Sequence, residues 1–117
     1  MPDDEGHPRP DEMDLRTVLH ALADPLRFAV IARFLAEPED TARTCAYFRL
    51  PVSKSTTSHH FKVMREAGLL RMIDNGNSRT ATLRRREIDA RFPGLLDLVR
   101  AEAPPADRDR PAAEEED

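Results

Sequence analysis

The sequence predicts a mainly α-helical domain carrying one β-hairpin, and three observations predict it. Apolar residues recur at helical spacing from Leu15 to Leu35 and again from Phe92 to Val99. An Asn75-Gly76 pair, the preferred dipeptide of tight hairpins, separates two short strand-like runs. All 25 Leu, Ile, Val and Phe residues fall between Leu15 and Val99, so one core must lie within that span.

Asp14 precedes Leu15, Val18, Leu19 and Leu22, an i, i+3, i+4, i+7 stripe that predicts an amphipathic helix over Asp14–Ala23. Asp24-Pro25 opens a second helix, because Asp accepts backbone N–H groups and Pro is tolerated at the first helical position. That helix carries Leu26, Val30, Ile31, Phe34 and Leu35 and stops before Pro38. Thr41 or Thr44 caps a short third helix bearing Cys45, Tyr47 and Phe48, which ends by Pro51. Ser53 caps a fourth helix over Lys54–Ala67, and Gly68 ends it in the left-handed conformation. Two strands around Asn75-Gly76 follow, with Arg79–Leu83 returning. Arg84-Arg85-Arg86 then leads into a turn around Ile88, and a last apolar helix contains Phe92, Leu95, Leu96, Leu98 and Val99, with Pro93 near its start.

The 117 residues fit one domain and carry a formal net charge of −4, which taken alone argues against a partner made of phosphates. The charge is partitioned, however. Residues 1–14 hold six acids and one base, and residues 102–117 hold seven acids and two bases. Residues 15–101 hold fifteen bases against nine acids, a net of +6. The ends are acidic and proline-bearing without large aliphatics, so 1–13 and 102–117 read as disordered tails around a basic domain over 14–101. A core of this size leaves a lone protomer marginal, which favours a homodimer. The expected seam lies on the terminal helices, at Leu15, Val18, Leu19, Leu22, Leu95, Leu96 and Val99. No run of about 18 apolar residues marks a membrane span, no signal-peptide pattern opens the chain, and Cys45 as sole cysteine fits a reducing cytoplasm.

On a helical wheel of Lys54–Ala67, Thr57, His60, Phe61 and Met64 share one side, and Ser55, Ser58, His59 and Lys62 the other. An outward face of hydroxyls, an imidazole and a lysine differs from the Glu/Lys mixture of a merely solvated helix. A short helix, a Pro-containing turn and such a helix make a helix-turn-helix, and the hairpin behind it is a wing. In that geometry the second helix enters the major groove. Lys54, Ser55, Thr56, Ser58 and His59 are then the candidates for the groove, and Lys62, Arg71 and Arg79 for phosphates. Double-stranded DNA with an imperfect inverted repeat is the expected partner.

The run Ser53-Lys54-Ser55-Thr56-Thr57-Ser58-His59-His60-Phe61-Lys62-Val63-Met64-Arg65-Glu66-Ala67-Gly68-Leu69 resembles the recognition-helix signature of the ArsR family of winged-helix repressors. Leu22-Ala23-Asp24-Pro25-Leu26-Arg27 is similar to that family's "LadptR" opening of its second helix. The resemblance covers about Leu15–Val99 and implies a homodimer that represses its operator and is released by an effector. It departs at the family's metal sites. Arg43-Thr44-Cys45 stands where a Cys-x-Cys pair is common, and the last helix offers Asp97 and Glu102 but no histidine. No metal or other cofactor is expected.

Blander readings accompany several residues. His60 falls on the apolar side and reads as a packed core histidine, while His20 reads as exposed. Ser58 and His59 diverge by about 100° around the helix and form no catalytic dyad, so no enzymatic activity is expected. Cys45 reads as a small buried hydrophobe, or as a redox-responsive thiol if Arg43 lowers its pKa. Arg84-Arg85-Arg86 is either a solvated junction or a phosphate clamp. Two further functions stay open: a winged-helix protein-interaction module without DNA binding, and a sensor holding a small-molecule effector in the dimer seam.

Overall fold

The computed structural model describes residues 6–103. Helix α1 spans Leu15–Ala23, α2 Pro25–Leu35, α3 Lys54–Ala67, α4 Arg85–Arg91 and α5 Leu95–Glu102. Strands β1 (Ala42–Thr44), β2 (Leu70–Asp74) and β3 (Arg79–Leu83) form one antiparallel sheet in the order β1-β3-β2. Short 3-10 helices occupy Pro10–Glu12 and Cys45–Phe48. The fold is a winged helix-turn-helix: mainly α, with the β2–β3 hairpin as the wing.

Local chemistry explains the first helices. The Asp14 carboxylate accepts from Thr17 N at 3.0 Å, and Asp24 accepts from Leu26 N at 2.9 Å and Arg27 N at 3.1 Å, so each carboxylate satisfies N–H groups that the following helix leaves open. Inward faces of α1, α2, α3 and α5 meet in one core, where Val18, Val30, Ile31, Phe61 and Met64 are almost wholly excluded from water. Phe48 sits in an aromatic cluster, its ring centroid 5.1 Å from Phe34 and 5.9 Å from Phe61. This cluster ties the start of the helix-turn-helix to α2 and α3.

The structure corrects several expectations. Residues 6–13, read as part of a disordered tail, are packed against the domain. His7 is buried and its Nε2 accepts from Met72 N at 2.9 Å, while Met13 is buried over Gly68. Of the two caps expected for the short third helix, Thr44 is the one used and Thr41 is not, because Ala42, Arg43 and Thr44 form strand β1 and pair with Thr82, Ala81 and Thr80. Only Cys45–Phe48 is helical, as one 3-10 turn capped by Thr44. At the wing tip Asn75 N bonds Ser78 O at 2.8 Å, which places Gly76-Asn77, and not Asn75-Gly76, at the centre. Only Gly76 has positive φ (91°), as in hairpins with glycine at the first central position. The Asp74 carboxylate takes the Gly76 N–H at 2.9 Å and moves the bend by one residue. The turn expected around Ile88 is helix α4, and Pro93-Gly94 delays the last helix to Leu95.

The expected seam also divides. Val18, Leu22, Leu96 and Val99 are buried within the single protomer and belong to its own core, so they are unavailable to a second copy. Leu95 packs half-buried against that core. Leu15 and Leu19 of α1 remain 45% and 47% exposed, and Leu98 of α5, absent from the expected seam, is 65% exposed. No helix among the described residues is long and apolar enough to cross a membrane.

Candidate nucleic-acid interface

The site is built on the turn into α3. Arg49 ends the 3-10 helix with φ 50° and ψ 52°, the left-handed region, and its N–H returns to Ala46 O at 3.1 Å. Val52 N donates to Leu50 O at 2.8 Å across Pro51, a three-residue reversal. Ser53 then caps α3: its Oγ accepts from Thr56 N at 3.1 Å and lies 3.0 Å from Thr56 Oγ1. At the far end Gly68, with φ 97°, closes the helix through bonds to the Arg65 and Met64 carbonyls.

Within α3 the wheel divides as its spacing predicts. His60, Phe61, Met64 and Ala67 are buried, while Lys54, Ser55, Thr56, Ser58, His59 and Lys62 are exposed, with Thr57 between them. Lys54 and Lys62 make no ion pair among the described residues. The outward face therefore offers two ammonium groups, three hydroxyls and one imidazole on one helix.

That helix has an anchor the sequence reading missed. Arg27 is buried where α1, α2 and α3 converge. Its Nε donates to Ala21 O at 2.8 Å, its Nη2 to His20 O at 3.4 Å, and its Nη1 lies 3.0 Å from His60 Nδ1. The guanidinium thus joins the last turn of α1 to the underside of α3. A guanidinium carries donors only, so Nη1 donates and His60 Nδ1 accepts. Asp24 Oδ2 stands 3.9 Å from the same nitrogen. Burial alone raises the Asp24 pKa, but the N–H groups of Arg27 and Leu26 and the neighbouring Arg27 charge hold the carboxyl below its ordinary value. The available signal was register: Arg27, Val30, Ile31 and Phe34 share the inward stripe of α2, where a cation needs partners.

Both wing arginines are exposed, Arg71 on β2 and Arg79 at the start of β3. Arg71 Nη2 lies 3.8 Å from Glu87 Oε1. Glu87 is bound more closely by Arg84 Nε at 2.6 Å, and that hydrogen bond, ahead of the Arg84 and Arg71 charges, lowers its pKa. The arginine triplet is engaged by the protein itself. Buried Arg84 holds Glu87, Arg85 caps the end of α2 through the Phe34 and Glu37 carbonyls at 3.2 and 3.1 Å, and Arg86 pairs with Glu39 at 2.8 Å.

Cys45 is half-buried below the turn, and burial pushes its thiol pKa up, with the Arg79 charge offsetting only part of the effect. Arg43, expected to lower that pKa, instead pairs with Glu37 at 3.2 Å and stacks on the Tyr47 ring at 4.8 Å. A raised pKa means less thiolate, the reactive species, so the environment opposes a redox-responsive thiol. Among the described residues no three His, Cys, Asp or Glu side chains converge as a metal site would require.

Comparison with known proteins finds likenesses over the same segment. A family model described as a helix-turn-helix domain matches residues 22–73, from the end of α1 into the wing. The chain is 26% identical over 89 residues to an uncharacterized HTH-type transcriptional regulator, YceK, of Bacillus subtilis (strain 168). That alignment covers 76% of this chain and 89% of the relative.

Proposed function

We propose that the chain is a sequence-specific transcriptional repressor of the ArsR type, acting in the bacterial cytoplasm as a homodimer on an imperfect inverted repeat and released by an effector. The helix-turn-helix match and the likeness to a transcriptional regulator support the coarser statement, a DNA-binding regulator. The observation that carries the finer reading is the outward face of α3. Lys54, Ser55, Thr56, Ser58, His59 and Lys62 are all exposed on a helix whose underside is tied to α1 by Arg27.

The division of labour follows from reach. Residues of the first turns, Lys54, Ser55, Thr56, Ser58 and His59, meet base edges in the groove, and Lys62, Arg71 and Arg79 meet phosphates. Charge supports this assignment: residues 43–91 carry eleven bases against four acids, so the segment bearing the motif is basic although the chain is acidic. Two-fold symmetry sets half-sites about 34–36 Å apart, or a multiple of that. Leu15 and Leu19 of α1, with Leu98 of α5 added, are the exposed leucines of the terminal helices that a second copy would cover.

Footprinting on the DNA upstream of the protein's own coding region tests the proposal. A protected pair of inverted half-sites is expected. Absence of any complex at low salt would overturn it and favour a protein-interaction module built on the same fold.

A further inference from the structure

A cleft of about 540 Å³ opens between the turn of the helix-turn-helix, the start of α3 and the wing. Its size falls in the range of small-molecule sites. Apolar side chains, among them Leu50, Val52, Phe61 and Met72, line much of it, and hydroxyls of Thr57 and Ser58 face it. All of its charged lining residues are cations, Lys54, Arg79 and Arg49. Lys54 and Arg79 make no ion pair among the described residues. The second cleft, about 360 Å³, differs: it mixes Glu39, Asp40 and Glu87 with Arg71 and Arg84–Arg86, so its charges are largely matched from within. An apolar floor under a rim of one sign selects a ligand with an apolar body and a single opposite charge.

We propose that this cleft binds an amphipathic organic carboxylate and that its occupancy releases DNA. The coupling rests on the DNA-binding reading above, because Lys54, Ser58 and Arg79 line the cleft and are also assigned to the groove and the phosphates. A carboxylate held by Lys54 and Arg79 neutralises one charge assigned to the groove and one assigned to the phosphates. Its apolar body, resting on Leu50 and Val52, sits where the DNA backbone must pass between α3 and the wing. Ligand and DNA therefore exclude one another at a shared surface, without a rearrangement of subunits.

The test uses the full-length, DNA-free protein and four probes: octanoate, octan-1-ol, octylammonium and inorganic phosphate. Amide and methyl NMR shifts locate binding, and titration gives affinity. Octanoate should move the resonances of Met72, Phe61 and Cys45 and bind at least about tenfold more tightly than the alcohol, the factor expected for a charge-assisted hydrogen bond. Arg79→Ser, at an exposed strand start, should lower octanoate affinity about tenfold and leave the alcohol unchanged. Equal binding of octanoate, alcohol and ammonium would overturn the proposal, as would shifts confined to other surfaces. An equal response to inorganic phosphate would reduce the cleft to a seat for a DNA phosphate, with the same consequence. Release is then read on a preformed DNA complex: octanoate should dissociate it with the midpoint measured for the cleft, and a complex indifferent to saturating octanoate would overturn the coupling. Failure of the unliganded protein to bind DNA would count against the regulator reading and leave the cleft titration standing.

Discussion

At the scale of single residues, the two exposed α3 side chains His59 and Lys62 separate base reading from charge. His59→Ala is expected to weaken binding to the operator by about 1–3 kcal/mol and to random DNA much less, as measured by fluorescence anisotropy on both duplexes. Similar losses on the two would exclude base contact there. Lys62→Ala should weaken both alike and reduce the salt slope by about one. Arg27 is different in kind, since it touches no solvent face of α3 yet fixes the helix from below. Arg27→Met keeps the apolar stem but leaves Ala21 O and His60 Nδ1 without their donor. Two buried groups losing their partner predict a destabilisation of roughly 2–4 kcal/mol in urea denaturation. A change under about 0.5 kcal/mol would mean that water replaces the guanidinium. The polar face of α3 was legible in the sequence because exposure there follows from helical spacing. Arg27 was not, because the register places a cation inward without naming the carbonyls and imidazole that receive it.

Among the elements, α3 is held at each end by a residue with one dominant role. Ser53→Ala removes the acceptor of Thr56 N and should cost about 1 kcal/mol. Gly68→Ala imposes a side chain at φ 97° with its Cβ 2.8 Å from Met13 Cγ. The backbone strain alone is worth about 1–3 kcal/mol, so thermal unfolding should show the larger loss at Gly68. These ends were readable beforehand because a cap is settled within four residues of chain. Strand β1 was not, since Ala42–Thr44 is extended only by pairing with Thr80–Thr82, almost forty residues later. The wing tip missed by one residue for an equally local reason, the Asp74 side chain taking the Gly76 N–H. The terminal helices show a further limit. An apolar stripe looks the same whether its own chain or a second copy covers it, so Val18 and Leu19 could not be told apart until burial separated them.

For the whole molecule, the carboxylates set an acid limit. Asp24 and Glu87 have pKa values lowered from ordinary ones near 3.8 and 4.5. The unfolded chain therefore binds protons at a higher pH than the native one. Their contribution is complete above those ordinary values and is lost as pH falls through the lowered native ones. The urea midpoint should stay level near neutrality and drop below about pH 4. In Asp24→Asn this part of the drop should shrink, and an identical acid profile would remove Asp24 from the account. The N-terminal segment carries a consequence of another kind. Strand β2 is one of the two outer strands of the sheet, and an outer strand presents N–H and C=O groups that can recruit a strand from another molecule. His7 occupies the Met72 N–H on that open side. Residues 6–13 therefore also guard against polymerisation: with them removed, the wing becomes a template for strand addition, and the shortened protein would be lost to aggregates at concentrations where the intact chain stays in solution.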